Sequence, residues 1–120
     1  MDLAITEVAN DVARISERVN ERVYLVESAV NSDGSWYRKY SDGWVEQGGS
    51  WTGVTSTNPQ TLTLLKPFSN SKYIVLAIDN YYSSGNGHCG IVRKTTTTFQ
   101  WNTTRDTVTM MWFACGMGAE

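Results

Sequence analysis

From Ile5 to Val30 the apolar residues Ile5, Val8, Val12, Ile15, Val19, Val23, Val26 and Val30 recur at steps of three and four, the spacing that lines one face of an α-helix. The stripe predicts a coiled-coil stalk over residues 1–31. Two successive steps of four between Ile15 and Val23 form a stutter, which unwinds the supercoil locally and keeps Arg22 off the seam. The seam is β-branched at every position, a choice that disfavours the parallel dimer and favours three or more strands. A homotrimer is therefore expected. The competing reading of the same stripe is a single amphipathic helix lying on its own domain. Against it stands length, because a helix of this extent overhangs a domain of under 90 residues. A β-branched helix without a packing partner is also marginal in water.

After Val30 the period changes. Asn31-Ser32-Asp33-Gly34-Ser35 supplies a polar, glycine-containing break, and the remainder reads as short strands. Residues 36–40 and 44–47 are aromatic runs joined through Ser41-Asp42-Gly43, and Asp-Gly between such runs is a hairpin signal. Gly48-Gly49 is expected to close this hairpin, with residues 50–60 as a connection. A strand follows over 61–65, ended by Lys66-Pro67. Residues 73–79 form the most apolar run, expected at the centre of a sheet. Residues 83–87 are a loop by composition, and strands are predicted over 91–94, 97–102 and 107–115. The chain is thus expected to be mainly β: an N-terminal α-helical trimeric coiled coil followed by a small antiparallel β-sandwich over residues 34–120.

Length and charge narrow the function. At 120 residues there is room for one core. The net charge of −2 divides into six acids and three arginines over residues 1–31 and a nearly balanced remainder. No basic face suited to phosphate is indicated, so nucleic acid is not an expected partner. No run approaches the roughly 20 apolar residues that span a bilayer, and the acidic start lacks the pattern of a signal peptide. Synthesis in the cytosol without membrane insertion is expected. Cys89 and Cys115 are too few for a disulfide scaffold and match no metal-site spacing; neither a metal nor another cofactor is expected.

The stretch Gly34-Ser35-Trp36-Tyr37-Arg38-Lys39-Tyr40-Ser41-Asp42-Gly43-Trp44-Val45-Glu46-Gln47-Gly48-Gly49 resembles the opening hairpin of C-terminal domains in phage and prophage tail fibres. In those domains Tyr-Ser-Asp-Gly-Trp followed by Glu-Gln-Gly-Gly recurs. Pro67-Phe68, the apolar residues 73–78, Lys94-Thr95-Thr96-Thr97 before Phe99, and the terminal Trp112-Phe113-Ala114-Cys115-Gly116 follow in the order the resemblance implies. What it implies is a trimeric receptor-binding tip on a virion tail fibre, assembled in the host cytoplasm. Its partners would be other tail and fibre proteins and a bacterial surface glycan or protein. The chain departs from that pattern in its short stalk, since fibre chains are often several hundred residues long.

Two loops carry candidate binding chemistry. Asn80, Tyr81, Tyr82, Asn86 and His88 combine aromatic faces with amides on a glycine-rich segment, and such rings give rigid contact area at low entropic cost. The alternative is cross-strand packing of the tyrosines within a solvated turn. Trp101 and Arg105 mark the second loop, where a guanidinium can fork onto a carboxylate of an acidic glycan. Trp36, Tyr37, Tyr40, Trp44 and Trp51 are expected in the core or a subunit interface. Catalysis is not expected. Glycan cleavage needs two carboxylates flanking one bond, and Glu46 and Asp79 are left as acids with no evident pairing. A structural protein that joins or caps tail components without binding cells remains the alternative function.

Overall fold

The computed structural model describes residues 7–14, 22–54, 59–79, 89–103 and 107–120. Residues 7–14 form one short helix whose side chains are all exposed, Val8 and Val12 included. Eight strands follow: β1 (Leu25–Val30), β2 (Trp36–Tyr40), β3 (Trp44–Val54), β4 (Gln60–Thr63), β5 (Ile74–Asp79), β6 (Cys89–Lys94), β7 (Thr98–Thr103) and β8 (Thr107–Met117). They make a five-stranded sheet in the order β1-β2-β3-β8-β5 and a three-stranded sheet in the order β4-β7-β6, every described pair being antiparallel. A mainly β fold with antiparallel sheets was expected, and that is what forms.

The stalk reading needs correction at its C-terminal end. Residues 22–24 are not helical and Val26 and Val30 lie in β1, paired with β2 rather than continuing a helix. A step of four suits either period, because it is a whole number of strand repeats and close to one helical turn. Val23 likewise precedes the sheet. Val8 and Val12 stay on a helix, one turn apart, while Ile5, Ile15 and Val19 lie outside the described residues.

The hairpin β2–β3 forms where Asp-Gly predicts it. Gly43 takes a φ of 92°, which an L side chain adopts only at a cost, and the Asp42 carboxylate accepts the Trp44 N–H at 3.0 Å. Gly48-Gly49 does not end the hairpin; β3 runs on to Val54, paired along its whole length with β8 from Trp44↔Met117 to Val54↔Thr107. These two glycines let neighbours close in, since a Cβ on Gly48 would lie 2.7 Å from the Trp112 carbonyl oxygen. The apolar β5 is not central but the edge of its sheet.

The core lies between the sheets. Val45 of β3, Val75 of β5, Phe99 and Trp101 of β7, and Met110, Trp112 and Ala114 of β8 are buried together with Leu64, Phe68 and Tyr73. Rings bridge the two sheets: Phe99 to Trp112 at 5.5 Å and Trp51 edge-on to Trp101 at 4.9 Å between centroids. Such offset and edge-to-face contacts add to area burial. The alternation Phe99, Trp101, Thr103, all buried, identifies the inward face of β7.

Candidate functional site

Strand polarity decides what each end of the molecule carries. β1 begins opposite Tyr40, and the Ser41 N–H bonds the Tyr24 carbonyl at 2.8 Å, so the chain enters the sheet at the β2–β3 turn. β8 ends at the same place, with Met117 opposite Trp44 and the Gly118 N–H on the Gly43 carbonyl at 2.8 Å. At the far end β3 terminates, β8 starts, and β5 finishes at Asp79 opposite Met110. The three-stranded sheet brings its matching ends there: Gln60, Cys89 and Thr103. Three connections between the sheets, 55–59, 80–88 and 104–106, are therefore anchored at one end, opposite the point where the N-terminal segment enters.

The predicted loops are two of these three connections. Asn80, Tyr81, Tyr82, Asn86, His88 and Arg105 lie outside the described residues; their anchors are at the far end. Trp101 is a correction. It is 0% exposed, in the middle of β7 and packed against Trp51, so its ring is a core element and leaves the set of candidate contacts. Among the described residues its Nε1 is the buried side-chain polar atom with no hydrogen-bond partner, a cost of about 1–3 kcal/mol that the burial of so large a ring outweighs.

A polar clip closes the sheet ends beneath the loops. The Cys89 thiol donates to the Asp79 carboxylate at 2.6 Å, and the Thr103 hydroxyl lies 3.3 Å from the other carboxylate oxygen. Burial pushes the Cys89 thiol up to about 12, and the hydrogen bond and charge of Asp79 add to the rise. The thiol is therefore held protonated as a donor and is a poor nucleophile. One residue from each of β5, β6 and β7 meets here, tying the start and finish of 80–88 to the strand that leads into 104–106. Both cysteines are free.

The two carboxylates left over from the sequence do not form a hydrolytic pair. Glu46 shares a row with Cys115 on the outer face of the five-stranded sheet, whereas Asp79 points between the sheets. They do not flank one bond as glycoside cleavage needs. Among the described residues no cluster of three or more His, Cys, Asp or Glu side chains is placed to hold a metal ion.

One surface was not anticipated. The outward residues of β5 are Ile74, Leu76 and Ile78, and those of β8 beside them are Cys115, Phe113 and Met111. Two shallow hollows of about 240 and 270 Å³ mark this face. The first is lined by Trp44, Lys72, Ile74 and Met117 among others, the second by Leu76, Ile78, Met111, Trp112 and Phe113. The signal for it was present in the sequence, since neither β5 nor the second half of β8 alternates apolar with polar residues.

With this architecture in view, the fold is similar to that of a part of R2-type pyocin tail fibres. A selenomethionine structure of an N-truncated R2-type pyocin tail fibre superposes with a TM-score of 0.60 at 20% identity, over 76% of this chain and 38% of that one. A C-terminal fragment of the R2 pyocin fibre of P. aeruginosa gives 0.56 at 19% identity, over 76% and 26%. The chain thus spans well under half the length of either fibre structure. No protein-family model and no curated protein matches it. The likeness to tail-fibre C-terminal domains carried by the β2–β3 hairpin is met at the level of the fold.

Proposed function

We propose that the chain forms the distal tip of a tail fibre and attaches it to a bacterial surface, with the connections 80–88 and 104–106 as the contact and no catalysis. The observation that carries this reading is polarity. The N-terminal segment joins the sheets at one end and the loop anchors gather at the other, as a stalk-borne adhesin requires. The tail-fibre fold supports the setting. Tyr81 and Tyr82 supply stacking faces, Asn80 and Asn86 hydrogen bonds, His88 and Arg105 polar contacts, all suited to a glycan or an exposed outer-surface protein. In a trimer three weak sites act together, so that effective concentration sets the strength of attachment.

The test is binding of fluorescent protein to a panel of bacterial strains, with Tyr81→Ala/Tyr82→Ala as the altered form. Strain-selective binding that the double variant loses, at unchanged folding and assembly, supports the reading. Binding to tail particles and to no strain overturns it in favour of a joining or capping role.

A further inference from the structure

We propose that the outer face of the three-stranded sheet, with Arg93 at its centre, binds a carboxylate-bearing polysaccharide. The inference rests on the attachment reading above for its setting, and it deepens that reading by naming a ligand class and carrying the contact from the loops onto the side of the tip.

The face follows from strand parity. Phe99, Trp101 and Thr103 of β7 point inward, so Thr98, Gln100 and Asn102 point out. Opposite Gln100 and Thr98 in β4 stand Thr61 and Thr63, both exposed. β6 reaches the same face only through an irregularity. Ile91 is opposite the inward Trp101, and unbroken pairing would set Val92 opposite Gln100 and turn Arg93 inward against Phe99. The register shift between Ile91 and Arg93 inserts Val92 as an extra residue, so that Arg93 stands outside, opposite Gln100, and Lys94 falls opposite Phe99. Re-aiming a side chain is what a β-bulge does, and bulges are over-represented beside functional sites. The result is one row across the sheet, Thr61, Gln100 and Arg93, which reads hydroxyl, amide, guanidinium.

Charge sets this sheet apart. β4, β6 and β7 hold no aspartate or glutamate, and their two bases are Arg93 and Lys94. Lys94 is taken up locally: its ammonium donates to the Tyr73 carbonyl and lies 5.2 Å from the Tyr73 ring centre. Arg93 is exposed and in no ion pair with a described residue. A face built for solubility alone mixes both signs of charge, whereas this one sets a single cation among neutral donors and acceptors. Those groups are loosely held. Gln100 Nε2 is 3.4 Å from the Thr61 hydroxyl, beyond the ordinary hydrogen-bond range. In the row nearer the loops, the Asn102 amide lies over the bare backbone of Gly90, with Oδ1 2.9 Å from where a Cβ would be.

The ligand chemistry follows from this inventory. From Thr98 to Asn102 the strip runs roughly 13 Å, at about 3.3 Å per residue, and has the flat shape that suits an extended chain rather than a small molecule. It leads into the 104–106 connection through Thr103, the last residue of β7. Sugar hydroxyls match Thr61, Gln100 and Asn102, and a ring carboxylate matches the fork of Arg93. With no carboxylate on these strands, an acidic polymer meets no like charge there. One cation is too few for a nucleic acid backbone. Because no aromatic ring stands on the face, binding depends on hydrogen bonds and charge, and salt weakens it.

The test is biolayer interferometry of the full chain on immobilised polygalacturonate and polysialate, with carboxyl-reduced polygalacturonate and polyglutamate as controls. The variants are Arg93→Gln and Gln100→Ala on the face and Arg38→Gln, the same change of charge on the other sheet. All three side chains point outward, and circular dichroism checks the fold. The expected result is binding to an acidic polysaccharide that weakens about tenfold in Arg93→Gln, the worth of one charged hydrogen bond. Gln100→Ala weakens it less, Arg38→Gln leaves it unchanged, and both control polymers bind more weakly than the acidic polysaccharide. The proposal is overturned if the wild-type chain binds neither acidic polysaccharide, or if Arg93→Gln binds as well as wild type. Equal loss in Arg38→Gln, or equal binding of polyglutamate, overturns it too, because net charge then explains the effect. Failure of the attachment reading has a different signature: no strain is bound, yet the polysaccharide still binds through Arg93. Strain binding without polysaccharide binding overturns the sheet face alone.

Discussion

The side-chain amide of Gln47 mimics a strand towards Lys66: its Nε2 donates to the Lys66 carbonyl at 2.8 Å while its Oε1 accepts the Lys66 N–H at 3.1 Å. Oε1 also takes the Leu65 N–H at 2.8 Å. Gln47 is fully buried on β3, and by these three bonds it fixes the crossover 64–73 between the sheets. That crossover pairs with other backbone at the Phe68↔Gly118 bridge and at Leu64 and Ser69, and the buried amide supplies the partners for residues 65 and 66 between them. Replacing Gln47 by Leu keeps the volume and strands two N–H groups and a carbonyl. The expected loss is about 3 kcal/mol of unfolding free energy in a urea titration, an effect larger than that of an exposed substitution such as Thr52→Ala.

Alkaline stability follows from two buried hydroxyl and thiol groups. Burial pushes the Tyr73 hydroxyl up to about 12 from 10.0, and the Cys89 thiol up to about 12 from 9.0. The folded protein holds these protons at a pH where the unfolded chain has released them. Their contribution is complete below pH 9 and is lost as pH rises towards 12. The urea midpoint is expected to fall across that window and to fall less steeply in Tyr73→Phe. The phenol of Tyr73 lies 2.9 Å from the carbonyls of both Thr95 and Thr98, so the variant starts from a lower midpoint. A slope unchanged by Tyr73→Phe would assign the alkaline loss to other groups.

The hairpin and the core strands were legible because their cues are local: Asp-Gly for the turn at Gly43, β-branched and aromatic runs for β5, β7 and β8. What was not legible depended on pairing. Val26 and Val30 satisfy a helical step and a strand step alike, so the edge strand β1 was hidden within the apparent seam. Trp101 was grouped with Arg105 through its polar neighbours, although its parity with Phe99 places it inward. An apolar run such as β5 reads as a central strand, but centre or edge is set by ladder neighbours, and β5 pairs with β8 alone among the described strands; its apolar outer row reports on the face of the sheet and not on a second neighbour. The candidate loops were recognised by composition; that they share one end with the 55–59 connection emerges only from the strand register.

The outermost strand is held by an exposed ionic cluster rather than by burial. The Glu27 carboxylate meets Lys66 Nζ at 2.8 Å and accepts the Tyr37 hydroxyl at 2.7 Å, with the ammonium 4.6 Å from the Tyr37 ring centre. The hydrogen bond from Lys66, then that from Tyr37, holds the Glu27 carboxyl below its ordinary value. Its contribution is present above that ordinary value and is lost as pH falls through the lowered one. Because the cluster is solvated, salt screens it. Glu27→Gln is expected to speed hydrogen exchange of the β1 amides and to leave the global urea midpoint in place. An equal effect on β1 and on β3 would mean that β1 unfolds only with the whole domain.

Gly48 lies in the β3–β8 ladder beneath the Trp36 ring, and its substitution separates steric from conformational cost. A Cβ at Gly48 would lie 2.7 Å from the Trp112 carbonyl oxygen and 3.1 Å from the Trp36 indole nitrogen. The carbonyl belongs to the β3–β8 ladder and has little room to yield, and the indole moves only by leaving Phe113. Overpacking of this kind costs about 1–3 kcal/mol. Gly34 offers the contrast: with φ at 88° and nothing within 4 Å of its would-be Cβ, Gly34→Ala carries only backbone strain, about 1 kcal/mol. Gly48→Ala is therefore expected to lower the urea midpoint more than Gly34→Ala and, alone of the two, to change the near-ultraviolet circular dichroism as Trp36 is displaced. Equal midpoints with an unchanged aromatic signal would show that β8 gives way at Trp112, and that the Trp36–Phe113 contact does not depend on a bare backbone at position 48.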